Sequence, residues 1–145
     1  MRPAETADIA QLWVLMSELT GHAVSAADMQ NRLDMVRNSS IEELYVCEVD
    51  GVVQGVLGFR IRENPEEASR FGEISVIVTR AQARQTGIGR AMMAFAEDRA
   101  KQLGCKGTWL VSGFGREEEA HQFYKKLGYE INGYRFVKPF LRKSG

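Results

Sequence analysis

The sequence predicts a mixed α/β domain, with a central sheet of antiparallel and parallel strands and helices on both faces. Three observations predict it. Apolar residues at helical spacing open the chain. Two β-rich segments joined by Asp50-Gly51 follow, and that pair signals a hairpin because both turn positions tolerate positive φ. From residue 71 onward strand, helix and strand alternate, which implies parallel pairing. The chain has 145 residues, 44% hydrophobic and 26% charged. That is one domain of ordinary globular composition, read as a single unit over 1–145 without linker or repeat.

The elements follow in order. Residues 1–4 are a poorly marked strand. Thr6 caps a first helix whose stripe is Ile9, Leu12, Trp13, Met16 and Leu19, and Gly21 ends it. Ser25 caps a second helix, with Asp28 three residues on and a stripe of Met29, Leu33 and Val36. Leu44 to Val49 and Val52 to Ile61 form the hairpin. Asn64-Pro65 marks a surface turn. Phe71 to Val78 alternates, with Ile74, Val76 and Val78 expected on one face and Glu73, Ser75 and Ile77 on the other. After a Gly-containing turn comes a helix over Ile88 to Leu103, stopped by Gly104. Thr108 to Ser112 is a short strand, Glu117 to Leu127 a helix, and Tyr129 to Leu141 an extended segment broken near Asn132-Gly133.

Charge and cysteines narrow the function classes. Lys plus Arg total 19 and Asp plus Glu total 19, so the basic excess of a general nucleic-acid binder is missing. Cys47 and Cys105 are too few for a disulfide framework and read as buried thiols of a reducing compartment. No apolar run approaches a membrane span and the start carries no signal-peptide core, so the expected location is the cytoplasm. His, Cys and acidic residues lack metal-ligand spacing, so no metal is expected.

The turn Arg84-Gln85-Thr86-Gly87-Ile88-Gly89-Arg90 lies between a strand and a helix start. Gly87 and Gly89 let a ligand approach the backbone. The unpaired N–H groups and the helix dipole there favour an anion such as a phosphate, and Arg84 and Arg90 add positive charge. The same glycines serve a tight turn equally well. A P-loop needs Lys-Ser/Thr after the second Gly, and Arg90-Ala91 stands there. A dinucleotide fingerprint needs Gly or Ala where Met92 stands.

Arg84-x-x-Gly87-x-Gly89 resembles the acyl-CoA pyrophosphate loop of the GNAT (Gcn5-related) N-acetyltransferases. Ala120-His121-Gln122-Phe123-Tyr124-Lys125-Lys126-Leu127-Gly128-Tyr129 resembles that family's second signature. Arg2-Pro3-Ala4-Glu5-x-x-Asp8-Ile9 resembles its start, and the element order agrees over essentially the whole chain. The resemblance implies the GNAT acyltransferase fold, with a six- to seven-stranded mixed sheet. It implies an N-acetyltransferase that moves acetyl from acetyl-CoA to a primary amine by direct attack. The C-terminal half is similar to small-molecule members, including aminoalkylphosphonate and aminoglycoside acetyltransferases. A protein-lysine or N-terminal acceptor, and a non-catalytic acyl-CoA sensor, are the alternatives.

The resemblance also implies residue roles. Backbone N–H groups of Gln85, Thr86, Gly87, Ile88, Gly89 and Arg90 take the pyrophosphate, beside the charge of Arg84. Backbone of Ile77 and Val78 pairs with the pantetheine arm in a slot between this strand and the next. Tyr124 is the acid that protonates the leaving thiolate; without the motif it reads as a core tyrosine with its hydroxyl at the rim. Glu73 is the first candidate base, with a surface glutamate as the other reading. His121, one turn before Tyr124, is the second candidate base or a substrate contact, and His22 is a further substrate candidate. Two departures stand out: Glu117 replaces a frequent Asn, and Gln85-Thr86 replaces a commoner Gly-containing pair. Relatives of this kind dimerise through the last strands, so a homodimer is expected.

Overall fold

A strand needs a partner and a helix needs a face to cover, and those two needs set the arrangement. The computed structural model describes residues 1–21, 24–111 and 117–141. The chain divides into two units, Met1–Leu110 and Val111–Gly145.

In the first unit the elements are β1 (Arg2–Pro3), α1 (Ile9–Thr20), α2 (Ala26–Arg37), β2 (Glu42–Val49), β3 (Val52–Asn64), β4 (Ser69–Thr79), α3 (Ile88–Gln102) and β5 (Gly107–Leu110). The sheet order is β1-β2-β3-β4-β5. The first three pairings are antiparallel, and β4–β5 is parallel. The Asp50-Gly51 turn is as expected: both residues have positive φ, 51° and 79°, and Val49 pairs with Val52 across it.

Cross-strand partners share a face, so the register sorts the side chains. Val46, Val56 and Val78 line one face and pack against Leu12 and Leu15 of α1 and Met29 and Leu33 of α2. The opposite face packs against α3. There Tyr45 meets Phe95 edge-on at 4.7 Å. Arg99 grips the Glu43 carboxylate with Nε at 2.9 Å and Nη2 at 2.7 Å. That guanidinium holds the Glu43 carboxyl below its usual range. Burial, then the hydrogen bond to Glu43, pushes Tyr45 up to about 12.

Several expectations are corrected. Thr6 is not the cap of α1. Its hydroxyl accepts from Arg37, while the Asp8 carboxylate accepts from the Glu5 N–H at 2.8 Å. Asp8 also receives two Arg2 hydrogen bonds at 2.8 Å, and these lower its pKa. Within α1 the buried residues are Leu12 and Leu15, with Ile9 and Met16 partly buried against the same core, whereas Trp13 and Leu19 are exposed. The hairpin strands β3 and β4 run to Asn64 and from Ser69. The surface turn expected at Asn64-Pro65 is present over residues 65–68 between them, and Arg70 pairs with Glu63 across the strands beside it.

The alternation expected along β4 breaks at Ser75. Gly58 pairs with Val76, but Phe59 pairs with Ile74, so Ser75 is an extra residue in β4. This bulge shifts the faces. Val76 and Val78 share a face with Glu73, the partner of Arg60, and Ile74 shares the other with Ile77, the partner of Leu57.

The second unit contains α4 (Glu117–Lys126). Residues 129–141, expected as strand, carry no regular secondary structure, and Tyr134, Phe136, Phe140 and Leu141 are more than nine-tenths exposed. The sheet of the described residues therefore has five strands rather than six or seven. Apolar β-formers supply propensity, but a strand also requires a hydrogen-bonded neighbour.

Candidate functional site

The first half of the site grows from the end of β4. The pairing between β4 and β5 runs from Phe71↔Gly107 to Ile74↔Leu110. Beyond it, among the described residues, β4 has no partner on its β5 side. Ser75, Ile77 and Val78 are therefore the stretch where an extended, amide-bearing ligand can pair with backbone. Val78 is buried in the α1–α2 core, and Ile77 is half-buried.

The turn after β4 has a fixed form. Arg80 N–H donates to the Gln54 carbonyl at 2.8 Å, and Arg80 Nε donates to the Val53 carbonyl at 3.0 Å. A 3-10 turn over Ala81–Ala83 follows, with Ala83 buried. The Thr86 hydroxyl donates to the Ala83 carbonyl. Gln85 and Gly87 both take the left-handed conformation, with φ 63° and 91°. Only glycine does so at little cost, and a non-glycine residue there stores about 1 kcal/mol or more.

Gly87 is the N-cap of α3. A Cβ built on it would meet nothing within 4 Å, so the approach to the first amides is open. The N–H groups of Ile88, Gly89 and Arg90 begin the helix and have no intrahelical acceptor. The positive end of a 15-residue helix adds to them. Arg84 and Arg90 are exposed, and neither enters an ion pair among the described residues. A hollow of about 580 Å³ lies against the same turn, bordered by Gln54, Arg80, Thr86 and Ile88. The turn fits a diphosphate: open backbone, donors of one polarity and unpaired guanidinium charge.

Glu73 lies on the α1–α2 face of the sheet and is 9% exposed. Its Oε1 accepts from Arg62 Nε at 2.8 Å, and its Oε2 is 3.9 Å from Arg60 Nη1. Arg60 also reaches Glu42. The carboxylate is thus oriented by two guanidiniums. Sequence reasoning missed them, and it missed the bulge beside them. Gly58 inside an otherwise apolar strand was the available signal for the bulge.

The other predicted residues lie in the second unit or beyond description. Tyr124 is half-buried on α4, with its ring 5.2 Å from Phe123 and 6.1 Å from Tyr129. Burial raises its pKa, so the phenol holds its proton throughout the neutral range. His121 is half-buried on the same helix. His22 lies outside the described residues, as does Arg116. Among the thiols, Cys47 is buried, and burial raises the pKa of Cys105 by more than the nearby Arg70 charge lowers it, which disfavours the thiolate a nucleophile requires. Among the described residues no cluster of three or more His, Cys, Asp or Glu is arranged to hold a metal. No described helix is long and apolar enough to cross a membrane.

Comparison with known proteins adds four findings. The profile of the Acetyltransferase (GNAT) family matches residues 9–129. The chain is 33% identical over 89 residues to aminoalkylphosphonate N-acetyltransferase of Salmonella typhimurium, covering 61% of this chain and 57% of that protein. The chain spans about half the length of the curated relatives it matches. A GNAT family acetyltransferase of Staphylococcus aureus superposes with TM-score 0.80 at 25% identity, covering 96% of each chain. Aminoglycoside N-acetyltransferase AAC(6')-Iy, solved in complex with CoA, superposes with TM-score 0.81 at 16% identity, covering 97% of this chain and 93% of that one.

Proposed function

The chain belongs to the acetyltransferase (GNAT) family, and from that premise we propose that it moves acetyl from acetyl-CoA to the primary amine of a small molecule by direct attack. The observation that carries this is the turn from Arg84 to Arg90. Two left-handed residues open it, free amides begin a long helix behind it, and a stretch of β4 without a β5-side partner among the described residues leads into it. Such a turn suits a diphosphate, and such an edge suits the amide-rich arm attached to it. That the AAC(6')-Iy enzyme was solved with CoA supports the same cosubstrate here.

The residues divide the labour. Backbone of Gln85, Thr86, Gly87, Ile88, Gly89 and Arg90, with the charge of Arg84, holds the diphosphate. Backbone of Ile77 and Val78 holds the arm. Glu73 takes the proton that the amine loses as it forms the C–N bond. Tyr124, matched by its motif, gives a proton to the departing thiolate. His121 is the second candidate for the base, and His22 and His121 are candidates for acceptor contact. The small-molecule acceptor is supported by the aminoalkylphosphonate relative. The reading includes a cytoplasmic location, in keeping with free Cys47 and Cys105. It also includes a homodimer, supported by the exposed Tyr134, Phe136, Phe140 and Leu141.

Thiol release from acetyl-CoA, measured across aminoalkylphosphonates, aminoglycosides, polyamines, amino acids and a lysine peptide, tests the reading. The expected result is release with one class of small amine, with CoA stabilising the fold more than ATP or NAD does. Turnover on the lysine peptide alone would overturn the acceptor class. Stabilisation by CoA with no release from any amine would mark a non-catalytic acyl-CoA-binding module.

A further inference from the structure

Ser75 has three properties that meet at no other residue of β4. It is the bulged residue, without a partner on β3. It is the first β4 residue past the last β4–β5 pair, Ile74↔Leu110. The residue is half-buried, and its hydroxyl makes no hydrogen bond among the described residues. The absence of a side chain at Gly58 leaves the space that hydroxyl occupies. A Cβ built on Gly58 would lie 2.5 Å from Ser75 Oγ and 3.2 Å from Val76 Cβ. Gly58 pairs with Val76, and Val76 packs against the α1–α2 core. The hydroxyl therefore lies over Gly58 on the face that also carries Glu73.

We propose that Ser75 is a further catalytic residue, whose hydroxyl holds the acceptor nitrogen beside the thioester and passes its proton to Glu73. The assignment rests on the acetyltransferase reading above. A hydroxyl is both donor and acceptor, so it can accept the N–H of the amine while donating toward a carboxylate. The nitrogen lone pair forms the C–N bond as the C–S bond breaks. Ser75 Oγ receives a proton from the nitrogen and gives its own to Glu73, directly or through one water. The thiolate takes a proton from Tyr124, and solvent restores both groups. Glu73 is set for the receiving role: Arg62 holds Oε1 at 2.8 Å, while among the described residues Oε2 has only the 3.9 Å contact with Arg60.

The test compares wild type, Ser75→Ala, Glu73→Gln and the double variant, with acetyl-CoA and the best amine of the panel. Ser75→Ala is expected to lower kcat about ten-fold, the size of one hydrogen bond. Its KM for acetyl-CoA and its Tm should match wild type. The double variant should be no slower than Glu73→Gln alone, because a relay without its receiver has nothing left to lose. Unchanged kcat in Ser75→Ala would overturn the assignment, as would losses that multiply in the double variant. A change confined to the KM for acetyl-CoA or to Tm would overturn it too, leaving Ser75 a structural residue. A wild type that turns over no amine would sink the acetyltransferase reading and this assignment with it. Wild-type turnover with an unaffected Ser75→Ala would sink the assignment alone.

Discussion

Replacing Tyr124 by phenylalanine is expected to lower kcat about 10²-fold at pH 7, at the low end of the range for general acid catalysis. The low end applies because the leaving group is a thiol, whose pKa near 8.5 makes the free thiolate a tolerable product. The loss should therefore shrink as pH rises past that value. The phenol itself does not titrate there, since burial raises its pKa above the ordinary tyrosine range. The ring contacts with Phe123 and Tyr129 need no hydroxyl, so the fold should be retained. Steady-state rates between pH 7 and 9, with a thermal melt of each protein, check this. An equal loss at every pH would contradict an acid role, and an unchanged rate would assign the proton to water.

Gly58→Ala is expected to have the next largest effect, on stability and rate together. The added Cβ would lie 2.5 Å from Ser75 Oγ and 3.2 Å from the Val76 backbone nitrogen. The hydroxyl can rotate away, but the backbone nitrogen cannot. Overpacking of this kind costs about 1–3 kcal/mol. Loss of glycine's unfolded-state freedom offsets less than about 1 kcal/mol of that. The net expectation is destabilisation of about 1–2 kcal/mol, read by urea titration. The bulge also positions Glu73 and the stretch of β4 past its last described pair with β5, so kcat/KM should fall about 10²-fold, as a misplacement near 1 Å does. Adding Ser75→Gly to Gly58→Ala should recover part of the stability and none of the rate. Recovery of both would mean that the bulge matters only for packing.

Much of the site is local in sequence, and that is why it was legible. The turn from Arg84 to Arg90 joins one strand to one helix, and its glycines announce it. Asp50-Gly51 announced its hairpin for the same reason, through positive φ at adjacent positions. The N-cap of α2 was equally local: Ser25 accepts from the Asp28 N–H at 3.0 Å. What stayed hidden depends on pairing between distant segments. The face of Glu73 was misread because period-two alternation assumes an unbroken ladder, and the bulge opposite Gly58 breaks it. The partners of Glu73 lie on β3, 11 and 13 positions earlier in the chain. The Arg2–Asp8 pair accounts physically for the opening signature that the sequence showed only as a resemblance. It ties the first strand to the turn before α1, with Glu48 of β2 as a second partner of Arg2. Residues 129–141 were read as strand from propensity alone, and propensity does not supply a neighbour.

The central claim is direct transfer from acetyl-CoA to an amine, without an acetylated enzyme. Its most direct test uses acetyl-CoA labelled with ¹³C at the acetyl carbonyl. Free thiol and labelled product are counted together, with and without the preferred amine. The account predicts one labelled acetamide for each thiol released, no release without amine, and no label on Cys47 or Cys105 by mass spectrometry of the protein. Thiol release in the absence of amine, or label retained on either cysteine and chased off by amine, would contradict it.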